Sequence, residues 1–154
     1  MKILVDADSC PKPARELVLR RAAKLNIRII FAANHPIPVC TEAEPNKPIA
    51  EMEVCPNTEN SADDRLVELV EKGDLVLTRD VPLAKRLVEK EAIVLDDRGR
   101  VFDKNNINEL LSLRNFMVGL ADNGLEFVRI SNYSKKDLKT FADSLDRLLT
   151  RIKT

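Results

Sequence analysis

Ile3-Leu4-Val5-Asp6-Ala7-Asp8-Ser9-Cys10-Pro11 opens with an unbroken apolar triplet, then two carboxylates one residue apart, then a proline. A short continuous apolar run suits a strand buried on both faces, as in a parallel sheet. Pro13, just beyond, can open a helix because the N–H it lacks would be unpaired in the first turn anyway. Strand, acidic turn and helix in that order begin a βαβ unit. They put Asp6 and Asp8 at the edge of a sheet where open α/β folds bind ligands.

Working outward, Leu17, Val18, Ala22 and Leu25 recur at helical spacing. Residues 27–33 form a second apolar run, broken only by Arg28, and read as a buried strand. Residues 34–48 hold Pro36, Pro38, Pro45 and Pro48, and irregular stretches of that length are often functional. Residues 51–55 suit a short strand with Met52 and Val54 on one face. Ser61-Ala62-Asp63-Asp64 reads as an N-cap and acidic first turn ahead of Leu66, Val67, Leu69 and Val70, with Gly73 as the stop. Residues 75–78 are a third buried strand, followed by Arg79-Asp80 and a helix from Pro82 with Leu83, Leu87 and Val88 inward. Residues 92–95 are a strand, Asp96-Asp97-Arg98-Gly99 a turn, and residues 105–120 a helix ending near Gly124. Residues 134–152 form an amphipathic helix with Leu138, Phe141, Leu145 and Leu148 in its stripe. Alternation of this kind predicts right-handed crossovers and a mainly parallel sheet. No internal repeat or boundary divides residues 1–154, which read as one domain with helix 134–152 packed on it.

Composition excludes several classes. Apolar residues at 44 % and charged residues at 32 % suit a soluble globular chain. Lys plus Arg and Asp plus Glu are 25 each, so net charge does not mark a nucleic-acid binder. No apolar stretch approaches the roughly 20 residues that span a bilayer, so no membrane is expected. Lys2 leads straight into the first strand and its carboxylates, which is no secretory signal. Cys10, Cys40 and Cys55 are an odd number without close pairs, which predicts a reducing, cytoplasmic setting and no disulfide. A zinc site from Cys40, Cys55 and His35 would lack the close ligand pairs of structural zinc.

The acids recur at one topological place. Asp6 and Asp8 follow the first strand, Asp63 and Asp64 open a helix, and Asp80 and Asp97 follow later strands. C-terminal ends of parallel strands share one edge, so these carboxylates can converge on Mg²⁺ or Mn²⁺, hard cations that take oxygen ligands. The corresponding chemistry is in-line attack of water on a phosphate, with Asp6 and Asp80 catalytic and Asp6, Asp63, Asp64, Asp80 and Asp97 holding metal. Structural readings compete: Asp63 and Asp64 complement a helix N-terminus, Asp80 caps the next helix, and Asp96-Asp97 belongs to a turn. Asp6, ending an apolar strand, has no such task. Thr78, Arg79 and Lys12 can hold a phosphate, although Lys12 and Arg15 also read as solvated helix charges. Asp8 either contacts substrate, supports the metal ligands from behind, or caps the first helix. Cys10 reads as a packing residue, since Arg15 comes one residue too soon for a cysteine phosphatase loop. His35 is the only histidine, and a general-base role stays open for it.

Asp6-Ala7-Asp8-Ser9-Cys10-Pro11, Ala32-Ala33-Asn34, Ser61-Ala62-Asp63-Asp64 and Gly73-Asp74-Leu75-Val76-Leu77-Thr78-Arg79-Asp80-Val81-Pro82-Leu83-Ala84 together resemble the YaiI/YqxD family of uncharacterised bacterial proteins. Arg98-Gly99, Arg114 and the helix from Ser134 agree, so the resemblance spans nearly the whole chain. It implies a PIN-like domain, a three-layer α/β/α sandwich with a Rossmann-like sheet. It also implies descent from Mg²⁺- or Mn²⁺-dependent ribonucleases whose acids would fall at Asp6, Asp63 or Asp64, Asp80 and Asp97, with RNA the implied partner and Asn34 a substrate contact. The chain departs from the pattern at Asn60, where an acid is expected, and at Gly124-Leu125-Glu126-Phe127-Val128-Arg129, where a basic Gly/Pro-rich stretch is expected. Two other classes fit the opening motif. One is a haloacid-dehalogenase-like phosphatase with Asp6 as nucleophile. The other is a non-catalytic RNA- or protein-binding module, although aromatic residues at 4 % make poor stacking platforms.

Overall fold

The computed structural model describes residues 1–36, 50–58, 60–122 and 133–153. In chain order the elements are β1 (Ile3–Asp6), α1 (Lys12–Leu25), β2 (Ile29–Ala33), β3 (Ala50–Val54), α2 (Ser61–Leu69), β4 (Leu75–Leu77), α3 (Val81–Glu89), β5 (Ile93–Leu95), β6 (Val101–Phe102), α4 (Ile107–Asp122) and α5 (Lys135–Lys153). The sheet runs β3-β2-β1-β4-β5-β6. Every pairing is parallel except β5 with β6. The chain winds one way from β1 through β2 and β3, then returns to the other side of β1 with β4. That reversal opens a crevice at the C-terminal ends of β1 and β4, the place where ligands enter doubly wound sheets.

Alternation along β1 assigns the two faces. Ile3 and Val5 join a core with Leu17 and Val18 of α1 and Phe141, Leu145 and Leu149 of α5. Leu4 joins the opposite core with Leu66 of α2, Leu83 and Leu87 of α3 and Ile107 of α4. The result is three layers, helix, sheet, helix, as predicted. Full burial of each such side chain stabilises by about 1.5–3 kcal/mol, so strands buried on both faces anchor the sheet. Among the described residues no helix is long and apolar enough to cross a membrane.

Local chemistry shifts several predicted boundaries. Ser61 does not cap α2; the cap is Asn60, whose left-handed backbone (φ 62°) an asparagine adopts more readily than most residues. α2 also stops before Gly73, because Val70 turns extended (ψ 139°) and carries the last residues into the next turn. α4 begins at Ile107 because the Asp103 carboxylate accepts the N–H groups of Asn105 and Asn106 at 2.8 and 2.9 Å, holding them in a turn. The 124–129 stretch and the predicted end of α4 near Gly124 lie outside the described residues. The Asp96–Gly99 turn returns as β6, two residues long and too short to show a period. α5 opens with a reciprocal cap: Asp137 N–H donates to Ser134 Oγ at 3.1 Å and Ser134 N–H to Asp137 Oδ2 at 3.0 Å. It then grips the turn through Ser144 Oγ, which donates to Gly99 O at 2.8 Å. Gly99 is obligatory there, with φ +89° and space for a Cβ only 2.8 Å from Thr140 O.

Candidate functional site

Asp6 ends β1 at the crevice and is 5 % exposed. Its Oδ2 accepts two hydroxyls, Thr78 Oγ1 at 2.8 Å from the end of β4 and Ser9 Oγ at 3.1 Å from the following turn. Burial raises the Asp6 carboxyl above its usual range; the two hydroxyls oppose that rise, while Asp80 and Asp8 add to it. Among the described residues no cation forms an ion pair with Asp6. Thr78 is therefore committed to Asp6, and its oxygen also accepts Asp80 N–H at 3.1 Å. It orients two acids rather than waiting for a phosphate.

Asp80 is the N-cap of α3, its Oδ1 accepting Leu83 N–H at 3.2 Å. The capping reading and the site reading hold together, since the cap uses one oxygen and leaves Oδ2 uncommitted among the described residues. The side chain of Asp63, in the first turn of α2, has neither a hydrogen bond nor an ion pair to any described residue. Its carboxyl is pushed up to about 6, first by partial burial, then by Asp6 and Asp80, with Arg86 pulling the other way. Asp6, Asp63 and Asp80 thus face one another across the ends of β1, α2 and α3 closely enough for each pair to feel like-charge repulsion.

The remaining predicted residues lie elsewhere or serve one another. Asp64 pairs with Arg86 Nη1 at 2.9 Å on the surface, both side chains about half exposed. Asp97 accepts Arg79 Nη2 at 2.7 Å, and its carbonyl accepts the Tyr133 hydroxyl at 2.5 Å. Its charge raises Cys10 and Tyr133 on the α5 side of the sheet. Arg79 keeps 52 % of its side chain exposed while holding Asp97, and its N–H reaches Ser9 Oγ at 3.4 Å. Lys12 is 77 % exposed and among the described residues reaches only Glu16, at 4.0 Å. Arg15 is not merely solvated, since its Nη1 donates to Cys10 O at 2.7 Å and closes the turn before α1. Asp8 is not the cap of α1, a place taken by Pro11. It accepts Asn34 N–H at 3.0 Å instead, and its Oδ1 stands 3.4 Å from His35 Nδ1. Asn34 Oδ1 in turn accepts Ser61 Oγ at 3.0 Å.

Cys10 is buried with its thiol pushed up to about 12, first by burial and then by Asp97, which suits packing and not nucleophilic attack. Cys55 is also buried, and Cys40 lies outside the described residues. Ser9 is the participant that sequence reasoning missed. Its only signal is a hydroxyl three residues after a strand-ending acid, the spacing of a side-chain turn.

Among the described residues no three His, Cys, Asp or Glu side chains close into a ready-made ligand set. That excludes an all-protein cage there. A hard cation such as Mg²⁺ keeps several waters and does not need such a cage, so partial ligation by carboxylates together with water would suit it. Asp6 Oδ1, Asp80 Oδ2 and both oxygens of Asp63 are the donors with no other described partner, and oxygen is the donor such ions take.

Residues 4–151 match the family described as "Uncharacterized BCR, YaiI/YqxD family". A UPF0178 protein of Treponema denticola is 44 % identical over 151 residues, covering 98 % of this chain and 93 % of the relative. UPF0178 proteins of Pseudomonas aeruginosa and Myxococcus xanthus are 41 % and 40 % identical over 152 residues, each covering 99 % of this chain and 92 % and 96 % of the relatives. No solved structure matches the chain. With the family matched over nearly its full length and relatives this similar end to end, the chain belongs to the YaiI/YqxD family.

Proposed function

We propose that this chain is a metal-dependent phosphodiesterase of PIN-like descent that cleaves RNA, with Asp6, Asp63 and Asp80 holding Mg²⁺ or Mn²⁺. The observation that carries the reading is the mutual repulsion of these three acids at the sheet's switch point. Burial and the neighbouring acids push Asp63 up to about 6, with Arg86 opposing that rise only in part, and raise Asp6, which has no ion pair among the described residues. Proteins retain uncompensated buried carboxylates where a bound ion or a reaction needs them. When bound, the metal would supply charge stabilisation on the phosphate oxygens and activation of water. The chain's own residues do the rest. Thr78 and Ser9 fix the rotamer of Asp6, so one carboxylate oxygen is held back by hydroxyls and the other stays available. Arg79, half exposed beside Ser9, can turn its remaining N–H groups to a substrate phosphate while Asp97 holds its fork in place.

The test is cleavage of single-stranded RNA with and without Mn²⁺ by the wild-type protein and by Asp6→Asn. Metal-dependent cleavage that falls at least about 100-fold in the variant is expected for loss of a metal ligand. Equal activity of the two proteins would sink the assignment. An aspartyl-fluoroberyllate adduct at Asp6 would replace it with the phosphatase reading. Absence of Mn²⁺ binding in a calorimetric titration would replace it with a binding module.

A further inference from the structure

His35 is the chain's single histidine, and it takes no part in holding metal or phosphate at Asp6, Asp63, Asp80 or Arg79. It follows β2 by two residues at the same sheet edge as Asp6. Hydrogen bonds from two neighbouring segments fix Asn34, the residue before it. Asp8, in the turn after β1, accepts Asn34 N–H through Oδ2 at 3.0 Å and stands 3.4 Å from His35 Nδ1 through Oδ1. Ser61, at the start of α2, donates to Asn34 Oδ1 at 3.0 Å and also to Pro56 O. Asp63 sits one residue after Ala62 on that same helix, so the clamp that seats His35 is built on the element that carries an acid of the cluster. The charge of Asp8 is felt at Asp6 as well, so the two aspartates stand close.

A carboxylate on Nδ1 fixes the orientation of an imidazole and leaves Nε2 to do chemistry, the arrangement seen wherever a carboxylate aims a catalytic histidine. Here the imidazole is 68 % exposed, and Nε2 has no partner among the described residues. A surface ion pair kept for stability alone would be worth little, about 0–1 kcal/mol. A single carboxylate that holds the backbone before a histidine and stands beside the histidine's ring is placed to aim it. The 3.4 Å separation is longer than a formed hydrogen bond, and catalytic pairs often tighten only when substrate arrives.

We propose that His35, aimed by Asp8, is the general acid of this site, giving its Nε2 proton to the oxygen that leaves phosphorus. The inference rests on the phosphodiesterase reading. Water forms a new P–O bond and releases a proton to solvent. The P–O bond to the leaving oxygen breaks, and its electron pair takes the proton from Nε2 of the imidazolium. The neutral ring is then reprotonated by solvent. Atoms and charge balance over the cycle without a further reactant. Asp8 is a positioning residue in this scheme and does not touch the reacting atoms.

Leaving-group dependence tests the role. An RNA ester expels an alkoxide that needs a proton, whereas bis(4-nitrophenyl) phosphate expels a phenolate stable without one. His35→Gln should lower Mn²⁺-dependent cleavage of single-stranded RNA about 100-fold, the usual contribution of a general acid, and lower hydrolysis of the nitrophenyl diester by about ten-fold less than that. Asp8→Asn should show the same selectivity at a smaller size. Mn²⁺ affinity, measured by calorimetry on the same samples, should move less than about two-fold in His35→Gln, since the ring does not hold the ion. Equal losses on both substrates, or no loss on RNA, overturn the general acid while leaving the phosphodiesterase standing. A wild-type protein that cleaves neither substrate with Mn²⁺ overturns the phosphodiesterase and the general acid together.

Discussion

Both edges of the sheet bury aspartates, and Asp74 at one edge and Asp6 at the other are treated in opposite ways. At the N-terminal edge Asp74 is 2 % exposed, just before β4. Lys2 Nζ lies 2.6 Å from its Oδ2, and the N–H groups of Lys2 and Glu71 donate to it at 3.1 and 2.9 Å. At the C-terminal edge Asp6 is 5 % exposed and receives two neutral hydroxyls, while its charged neighbours, Asp80 and Asp8, are acids. Burying a carboxylate is costly, and a cation with good hydrogen bonds is the ordinary remedy. Asp74 has the remedy and ties β1 to β4. Asp6 lacks it, so the fold would do without that charge if folding were its only use.

The largest difference should appear on removing the two acids. Asp74→Ala leaves two N–H donors without their acceptor and Lys2 with only the exposed Glu71, 3.6 Å away, which should cost about 3 kcal/mol in urea unfolding. Asp6→Asn keeps one acceptor for the hydroxyls and relieves repulsion, so its loss should stay below about 1 kcal/mol. If both substitutions cost the same, the contrast between a structural and a functional acid collapses.

Mn²⁺ should separate the edges next. A ligand that binds only the folded protein adds about 2.7 kcal/mol at 100 times its dissociation constant. Wild type and Asp74→Ala should both gain that increment, read as a rise in unfolding midpoint, and Asp6→Asn should not. Gain by all three would move the ion away from the switch point.

Asp63 gives the pH form of the same idea. Its folded value of about 6 lies above the ordinary 3.8, so the native state holds its proton more tightly than the unfolded chain does. Without metal, wild-type stability should therefore fall as pH rises from about 4 to about 6 and then level off. Asp63→Asn removes that fall. The variant should exceed wild type by about 1 kcal/mol at pH 7, a figure discounted for solvent screening, and match it near pH 4. A variant less stable than wild type at pH 7 would mean that an unseen partner compensates Asp63.

The sheet was legible in the sequence because β1, β2 and β4 are unbroken apolar runs that end on polar residues, and that pattern needs no long-range information. The meeting place of the acids was legible for the same reason, since parallel strands bring their C-terminal ends to one edge. What stayed hidden was compensation. Lys2 meets Asp74 across 72 residues, and Arg79 meets Asp97 across 18. No local pattern reports which acid acquires which cation, so Asp64 and Asp97 read as the equals of Asp63 and Asp80. Asp8 was open between three roles, and only the ladder that sets Asp6 beside Ala32 brings it within reach of Asn34. Asn60 hid its capping role because it acts through a left-handed backbone and makes no side-chain cap bond.

The smallest expected effect falls at Asp64, the neighbour of Asp63 in sequence and its opposite in setting. Asp64 points to solvent with Arg86 at 2.9 Å, the two side chains 57 % and 45 % exposed. Water already solvates both charges, so removing one forfeits a screened attraction, and Asp64→Asn should change stability by about 0.5 kcal/mol or less. Loss of its carboxylate also frees Arg86, which already pulls on Asp63 and could then lean further towards it. Mn²⁺ affinity should therefore drop slightly or stay constant, where Asp63→Asn should lower it about ten-fold or more, since a direct ligand has been removed. The two variants differ by one position and remove the same charge. If calorimetry gives them the same loss of Mn²⁺ affinity, the ion senses only the net charge of the helix start. If Asp63 alone matters, the ion is held by the carboxylate that has no partner among the described residues.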